Sequence, residues 1–256
     1  MIDSRALIDP TAKLADDVEV GPWSIIGPDV EIGAGTVIGP HVVIKGPTKI
    51  GKNNRIFQFS SVGEDCQDKK YAGEPTTLTI GDNNVIREGV TIHRGTVQDA
   101  GTTTIGSHNL FMAYAHVAHD CVVGDHVIMA NNTAIAGHVH IGDWTILGGF
   151  TAVHQFCKIG SHVMCGTSTV VLKDIPSYIM ANGNTAKPHG INVEGLKRRG
   201  FSADSIAQLR RAYKTIFRNK LTTAQALAEL KAMANECPEV VPMIQSIESS
   251  TRGIIR

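Results

Sequence analysis

The sequence predicts an all-β solenoid, a triangular parallel β-helix of hexapeptide repeats over residues 1–190, closed by a small C-terminal α-helical domain over 191–256. Three observations carry this. An aliphatic residue recurs every six positions through most of the first 171 residues, the recurrence is broken at two polar segments, and beyond Pro188 it gives way to helical spacing with capping signals. A period of six fits neither the 3.6-residue helix nor the two-residue strand. It is met by a short strand plus a turn, repeated three times per coil.

The repeat starts at Ile8 and runs to Val62, resumes at Ile80, Ile86 and Ile92, and runs again from Ile105 to Val171. Of its 25 leading residues 22 are Ile, Leu or Val, and Gly follows 13 of them, a regularity that chance does not produce. The leading aliphatic is expected to point into the prism, Gly or Asn near the turn to tolerate positive φ, and a small fifth residue to fill the corner. Three hexads make an 18-residue coil, so residues 18 apart become vertical neighbours at about 4.8 Å. The first break, residues 63–79, puts Asp68 and Glu74 where aliphatics belong. The second, near 97–104, lengthens one spacing from 6 to 13 residues between Ile92 and Ile105. Loops that leave a regular solenoid are usually functional.

In the tail, Ser202 can cap a helix with the apolar stripe Ile206, Leu209, Tyr213, Ile216 and Phe217. Thr222 and Gln225 have capping-box spacing, and Pro242 can open a third helix at its first position. Between Lys197 and Lys220 eight basic residues face one acid, Asp204, which reads either as a solvated helix face or as a dock for an acidic partner.

Composition bounds the function. Aromatics are only 5%, so the core is aliphatic, and 24 basic against 24 acidic residues give no net charge and argue against nucleic-acid binding. Five cysteines, an odd number without CxxC spacing, argue against disulfides and structural zinc. No signal peptide or membrane-spanning stretch is legible, which makes a cytoplasmic chain the expectation.

The eleven histidines carry the chemistry. Coil arithmetic stacks Ile92, Val117, Ile135 and Val153 in one interior column. It places His93, Ala118, Ala136 and His154 in the next, then Arg94, His119, Gly137 and Gln155, then Gly95, Asp120, His138 and Phe156. His93, His116, His119, His138, His154, Asp120 and Gln155 therefore gather on one face, where an imidazole oriented by a carboxylate suits a general base. The same imidazoles could instead hold zinc, or be polar side chains on outer turns. His108, His126 and His162 fall in another column with no carboxylate. No GxSxG, phosphate-loop or dinucleotide glycine motif is present.

The segments AHVAHDCVVGDHVIMANNTAIAGHV (115–139), AVHQFCKIG (152–160), QDKKYAGEPT (67–76), TIHRGT (91–96) and INVEGLKRRGF (191–201) resemble the UDP-N-acetylglucosamine acyltransferases of lipid A biosynthesis, and the likeness spans essentially the whole chain. The resemblance implies a left-handed winding. It also implies transfer of an (R)-3-hydroxyacyl chain from acyl carrier protein to the glucosamine 3-hydroxyl of UDP-N-acetylglucosamine, the first step of lipid A biosynthesis, without cofactor or metal, in a homotrimer with active sites between subunits. By it His119 is the general base, Asp120 orients it, Gly137 supplies the oxyanion donor, and Lys70 and His116 complete the catalytic set. Gln67, Asp68, Lys70, His93, His116, His138, His154 and Gln155 match the substrate pocket, and Asn192, Glu194, Arg198 and Arg199 match the nucleotide end. Thr167 stands where members with the longest acyl selectivity have Gly, and Thr185 lies at another position lining the chain end, which implies a shorter acyl chain. A nitrogen-acceptor relative, a metal-dependent solenoid of the carbonic anhydrase kind and a non-catalytic scaffold remain as alternatives.

Overall fold

The computed structural model describes residues 1–256. The chain winds as a left-handed parallel β-helix and ends in a small helical part. Most strands are two residues long and end on the aliphatic residue of a hexad. That side chain turns inward: Ile44, Ile86, Ile92, Val117 and Ile135 have no exposed surface. Each such burial contributes about 1.5–3 kcal/mol, so a column of single aliphatics supplies the core that aromatics would otherwise fill.

Coils stack into three sheets. The first runs from Leu7–Ile8 to Val170–Val171 and the second from Lys13–Leu14 to Lys158–Ile159. The third runs from Glu19–Val20 to Met164–Cys165 and is extended by Ile179–Asn182 and Lys187–Ile191. The register follows the coil arithmetic: Ile92 pairs with Val117, Val117 with Ile135, Ile135 with Val153 and Val153 with Val171.

The corners meet the expectation about Gly and Asn and extend it to other residue types. The left-handed conformation falls three residues after the leading aliphatic, at Gly35, Asn53, Asn83, Gly89 and Asn132 and equally at Asp120, His126, His138, Trp144 and Phe156, while of the glycines that directly follow the aliphatic only Gly63 adopts it. Those glycines answer a different constraint, the closeness of the next coil. A Cβ on Gly33 would lie 2.7 Å from the carbonyl carbon of Gly51. The fifth residue of the hexad is buried as expected and its polar members satisfy the backbone. The Ser24 hydroxyl donates to Gly39 O (2.7 Å), and Asn54, Asn84 and Asn109 form a ladder in which the Asn84 amide donates to Asn54 Oδ1 (3.0 Å) while Asn84 Oδ1 accepts from Asn109 N (2.9 Å).

The first loop is shorter than its break in the period and the second is displaced from its own. Strands Ser61–Glu64 and Thr77–Ile80 take up both ends of the first break, leaving 65–76 as the excursion. Strand Thr102–Ile105 absorbs the end of the second, so that loop is 94–101. Beyond Val171 the solenoid continues without hexads through Ile175, buried and bridged to Ile159, into the Ile179–Asn182 and Lys187–Ile191 antiparallel pair.

Four helices follow: α1 (Val193–Arg198), α2 (Ala203–Phe217), α3 (Thr223–Ala234) and α4 (Val241–Glu248). Ser202 caps α2 and Thr222 with Gln225 forms the capping box of α3. Pro242 sits at the second position of α4, behind Val241, instead of the first. α1, capped by Asn192, was not anticipated from the sequence. The helices return to the last coils: the Tyr213 hydroxyl donates to Pro188 O (3.1 Å) and Ile255 N to Asp174 O (2.9 Å).

Replacing Asn84 with alanine leaves the buried Asn109 N–H without its acceptor. The Asn84→Ala chain is expected to lose about 1–3 kcal/mol of stability, read as a lower thermal midpoint at fixed protein concentration. An unchanged midpoint would remove the ladder from the fold's energetics.

Candidate active site

The histidine columns meet where the first sheet turns into the second. Residues 118–121 and 136–139 make successive turns there, and the two inserted loops overhang them. A cavity of about 460 Å³ is lined by Gln67 and Asp68 from loop 65–76, by His93, His116 and His119, and by Gly137 and Gln155, with Ala118, Ala134, Ala136 and Ala152 forming its apolar wall.

At its centre His119 Nδ1 lies 2.9 Å from Asp120 Oδ2. The Asp120 side chain has no exposed surface, and a buried carboxylate needs donors. They come from loop 94–101: Thr96 N donates at 2.9 Å and the Thr96 hydroxyl at 2.6 Å. Thr103 adds a backbone tether, its hydroxyl accepting from Asp120 N (2.9 Å). With every other partner of Asp120 a donor, His119 Nδ1 must carry the proton, and the Nε2 lone pair is left free. That nitrogen faces Gly137 one coil on. A Cβ there would lie 2.6 Å from Nε2 and 2.5 Å from Cε1, so only glycine leaves room for the ring. The Gly137 N–H donates to no protein group.

Around this pair, His138 stands edge-on to His119 (centroids 5.0 Å) and stacks on Phe156 (4.3 Å). Its Nδ1 is 2.7 Å from Asp99 Oδ2 and 3.9 Å from Asp120 Oδ2. His119, Asp120 and His138 form a cluster of metal-ligand type, yet both Nδ1 atoms are already engaged by carboxylates. His116 Nδ1 pairs with the Thr91 hydroxyl at 2.7 Å, and His93 sits edge-on to His116 at 5.0 Å.

Loop 65–76 is held by Arg94, whose position in the His119 column was legible but whose task was not. Its guanidinium donates to Gly63 O, to the Asp65 carboxylate and to the Tyr71 hydroxyl. Arg94, Thr96, Asp99 and Thr103 are thus the residues that sequence reasoning missed. Asp99 lies in the insertion, where the period gives no position, and Thr96 immediately precedes it.

The other site residues named from the sequence are dispersed. Lys70 is exposed on its loop, and its N–H donates to Asp68 Oδ1 (2.9 Å). His154 is exposed, with Nδ1 near Gln155 O (3.1 Å), and stands outside the cavity lining. Asn192, Glu194, Arg198 and Arg199 belong to a different corner, where the second sheet turns into the third. There the Asn192 amide is engaged with Gly195 N and His162 O, and Glu194 pairs with Lys197 while Arg198 is exposed. Arg199 lies 5.1 Å over the Trp144 ring and donates to Trp144 O (3.0 Å). Thr167 and Thr185 are exposed at the third corner, where the third sheet returns to the first.

Burial sets the charge of the outer imidazoles. Desolvation, then the neighbouring His116, brings His93 down to about 4, and desolvation also lowers His116. Desolvation followed by Arg199 brings His162 to about 4. Between the ordinary histidine value of about 6.5 and pH 4 the unfolded chain binds protons that the folded one refuses, so stability falls as pH drops through that window. Ring titrations by nuclear magnetic resonance should show His93 and His162 neutral at pH 5.5, and His93→Gln should flatten the acid-side loss of stability. Titration of both rings near 6.5 would contradict the burial argument.

Residues 174–255 match the family described as UDP-N-acetylglucosamine O-acyltransferase, domain 2, and residues 11–46 and 102–137 match the bacterial transferase hexapeptide repeat. The chain is 64% identical over 256 residues to the acyl-[acyl-carrier-protein]--UDP-N-acetylglucosamine O-acyltransferase of Pseudomonas savastanoi pv. phaseolicola, covering 100% of this chain and 99% of that protein. Among solved structures, LpxA from Acinetobacter baumannii superposes with a TM-score of 0.98 at 56% identity, covering 100% of this chain and 99% of that one. The Moraxella catarrhalis UDP-N-acetylglucosamine O-acyltransferase gives 0.98 at 50%, with the same coverage. A full-length relative at this identity, on a superposable solenoid with the same helical tail, places this chain in the UDP-N-acetylglucosamine O-acyltransferase family.

Proposed function

We propose that this protein moves an (R)-3-hydroxyacyl chain from acyl carrier protein to the glucosamine 3-hydroxyl of UDP-N-acetylglucosamine, opening lipid A biosynthesis, with His119 as general base. The observation that carries the mechanism is the juxtaposition of His119 Nε2, left basic by the Nδ1 bond to Asp120, with the unpaired Gly137 N–H. As the sugar oxygen attacks the thioester carbonyl, Nε2 takes its proton. The carbonyl oxygen becomes an oxyanion and accepts from Gly137, and collapse expels the carrier's thiolate, which takes the proton back. Buried Asp120 stabilises the imidazolium in between. Base catalysis of this kind supplies about 10²–10⁴ in rate and one oxyanion donor about 10²–10³. Electrons and protons balance without a cofactor, and the acyl donor is itself a substrate.

The cavity residues fit these substrates by chemistry. His93 and His116, held neutral, offer hydrogen bonds to sugar and amide groups without drawing a counter-charge. Gln67, Asp68 and Gln155 line the same cavity as polar partners, and in this reading His138, Lys70 and His154 reach the substrate from outside that lining, while Arg198 with Glu194, Asn192 and Arg199 forms the nucleotide end. On the outer face of the first sheet, in register with His116, Ala134, Ala152 and Val170 form a strip of small apolar side chains suited to an acyl chain. Thr167 and Thr185 border its far edge and in this reading shorten the groove.

The nucleotide-end residues sit at another corner from His119, which favours a site completed by a neighbouring copy in a homotrimer. An exposed aromatic ridge at the corner that ends on the first sheet, Trp23, Phe59, Tyr114 and Phe150, supports the same reading, since such surface is seldom left bare. Both substrates are carried on water-soluble groups and no helix is long and apolar enough to cross a membrane, which suits a cytoplasmic enzyme.

Incubation with UDP-N-acetylglucosamine and competing 3-hydroxyacyl carrier proteins of graded length tests the reaction and the groove together. His119→Ala is expected to keep its thermal midpoint and lose about 10²–10⁴ in kcat. Gly137→Ala should lose a comparable amount by displacing the ring. Near-normal turnover of His119→Ala would refute the base assignment, and preference for the longest chains would refute the reading of Thr167. Co-folding His119→Ala with Arg198→Ala subunits should regain turnover that neither has alone, and no recovery would argue for a site within one chain.

A further inference from the structure

Loop 94–101 exists because the repeat is broken, and it brings two side chains to the histidine pair. Thr96 satisfies Asp120, as described. The second is Asp99, whose Oδ2 lies 2.7 Å from His138 Nδ1. Without it His138 has another acceptor close by, because its Nδ1 is only 3.9 Å from Asp120 Oδ2, the same oxygen that holds His119. Two imidazoles in edge-to-face contact would then compete for one buried carboxylate oxygen. The Asp120 side chain is fully buried and tied to Thr96, so it cannot turn to serve both. Asp99 is about half exposed and reaches His138 from the solvent side.

We infer that Asp99 is a positioning residue for the acyl transfer: by taking the Nδ1–H of His138, it reserves Asp120 for His119 and keeps the Nε2 lone pair of His119 available. The groups facing His138 are His119, Asp120 and Asp99, with the stacked Phe156 uncharged and His140 beyond on the same turn. Losing Asp99 therefore has two effects of the same sign on His119. It removes a nearby negative charge, and it lets His138 draw on Asp120. Both weaken the stabilisation of the His119 imidazolium, so the acid limb of the kcat profile moves to lower pH while the rate on the plateau falls.

The inference rests on His119 acting as base, and two variants with two readouts separate its failure from that one. Asp99→Asn keeps an acceptor oxygen for His138 Nδ1–H, whereas Asp99→Ala keeps none. In Asp99→Ala, kcat is expected to fall about ten-fold, the scale of one charge-assisted hydrogen bond, with KM for UDP-N-acetylglucosamine unchanged and the acid limb displaced downward. Asp99→Asn should recover most of the plateau rate and still show the displaced limb. Nitrogen-15 spectra of the rings read the tautomer without any turnover: His119 should be an Nδ1–H tautomer in the parent and in Asp99→Asn, and should lose that single state in Asp99→Ala, where His138 competes for Asp120. Parent-like tautomer, rate and pH profile in Asp99→Ala would overturn the inference even if His119→Ala proves inactive. Equal losses in both variants accompanied by a lowered thermal midpoint would also overturn it, by making Asp99 a structural residue of the loop.

Discussion

Each short strand ends on a backbone N–H whose acceptor lies on the next coil, and this ladder governs everything else in the solenoid. Gly21 N reaches Ile38 O at 2.8 Å, Gly124 N reaches Ile141 O at 2.9 Å, and Ala136 N reaches Val153 O at 3.0 Å. A slip of one residue would break the ladder and turn the leading aliphatic outward, so the register is doubly specified. The consequence is that a residue's place in its hexad fixes its height and its face. His119 and Gly137 are 18 residues apart and fall on adjacent turns for that reason alone. The corner conformation then fixes the approach: Asp120 and His138 both adopt positive φ, a conformation Asp and His accept more readily than β-branched residues do.

The ladder supplies positions but not all the partners. A carboxylate with no exposed surface is costly unless donors surround it, and the turns of a regular coil offer few beyond their own backbone. Thr96 can cross over Asp120 only because the chain leaves the period at 94–101. Loop 65–76 closes the other side, and Arg94, itself buried, anchors it through Gly63, Asp65 and Tyr71. The breaks in the repeat are therefore where the solenoid is converted from a scaffold into a site.

Much of this was legible. The interior column, the stacking of His119 beneath Gly137 and the caps of α2 and α3 follow from spacing, because the physics behind them is periodic or local. The loop limits were not, since pairing between coils outruns the hexad: Glu64 pairs with His93, and Thr77 with Thr102, drawing polar residues into strands. The frequency of glycine directly after the aliphatic reflects crowding by the next coil, whereas the left-handed corner positions, Gly35 and Gly89 among them, come two residues later. α1 has only six residues and no apolar stripe to announce it. Asp99 and Thr96 escaped because contacts made across an insertion have no period to betray them.

The distribution of functional side chains over the prism bears on assembly. A triangular solenoid is convex at every corner, and its corners cannot approach one another, since the intervening sheets are rigid ladders. His119 occupies the first corner, the Asn192 and Arg199 cluster the second, and Thr167 with the aromatic ridge the third. A substrate long enough to pair a nucleotide with a sugar, and a donor carrying an extended acyl chain, would have to touch more than one of these corners at once. Within a single chain the overhanging loops create concavity at the His119 corner, away from the other two. Packing one prism against another brings different corners together at no conformational cost to either. This is the geometric ground for the proposed assembly, in which one chain would supply His119 from one edge and a neighbour the Asn192 and Arg199 cluster from another.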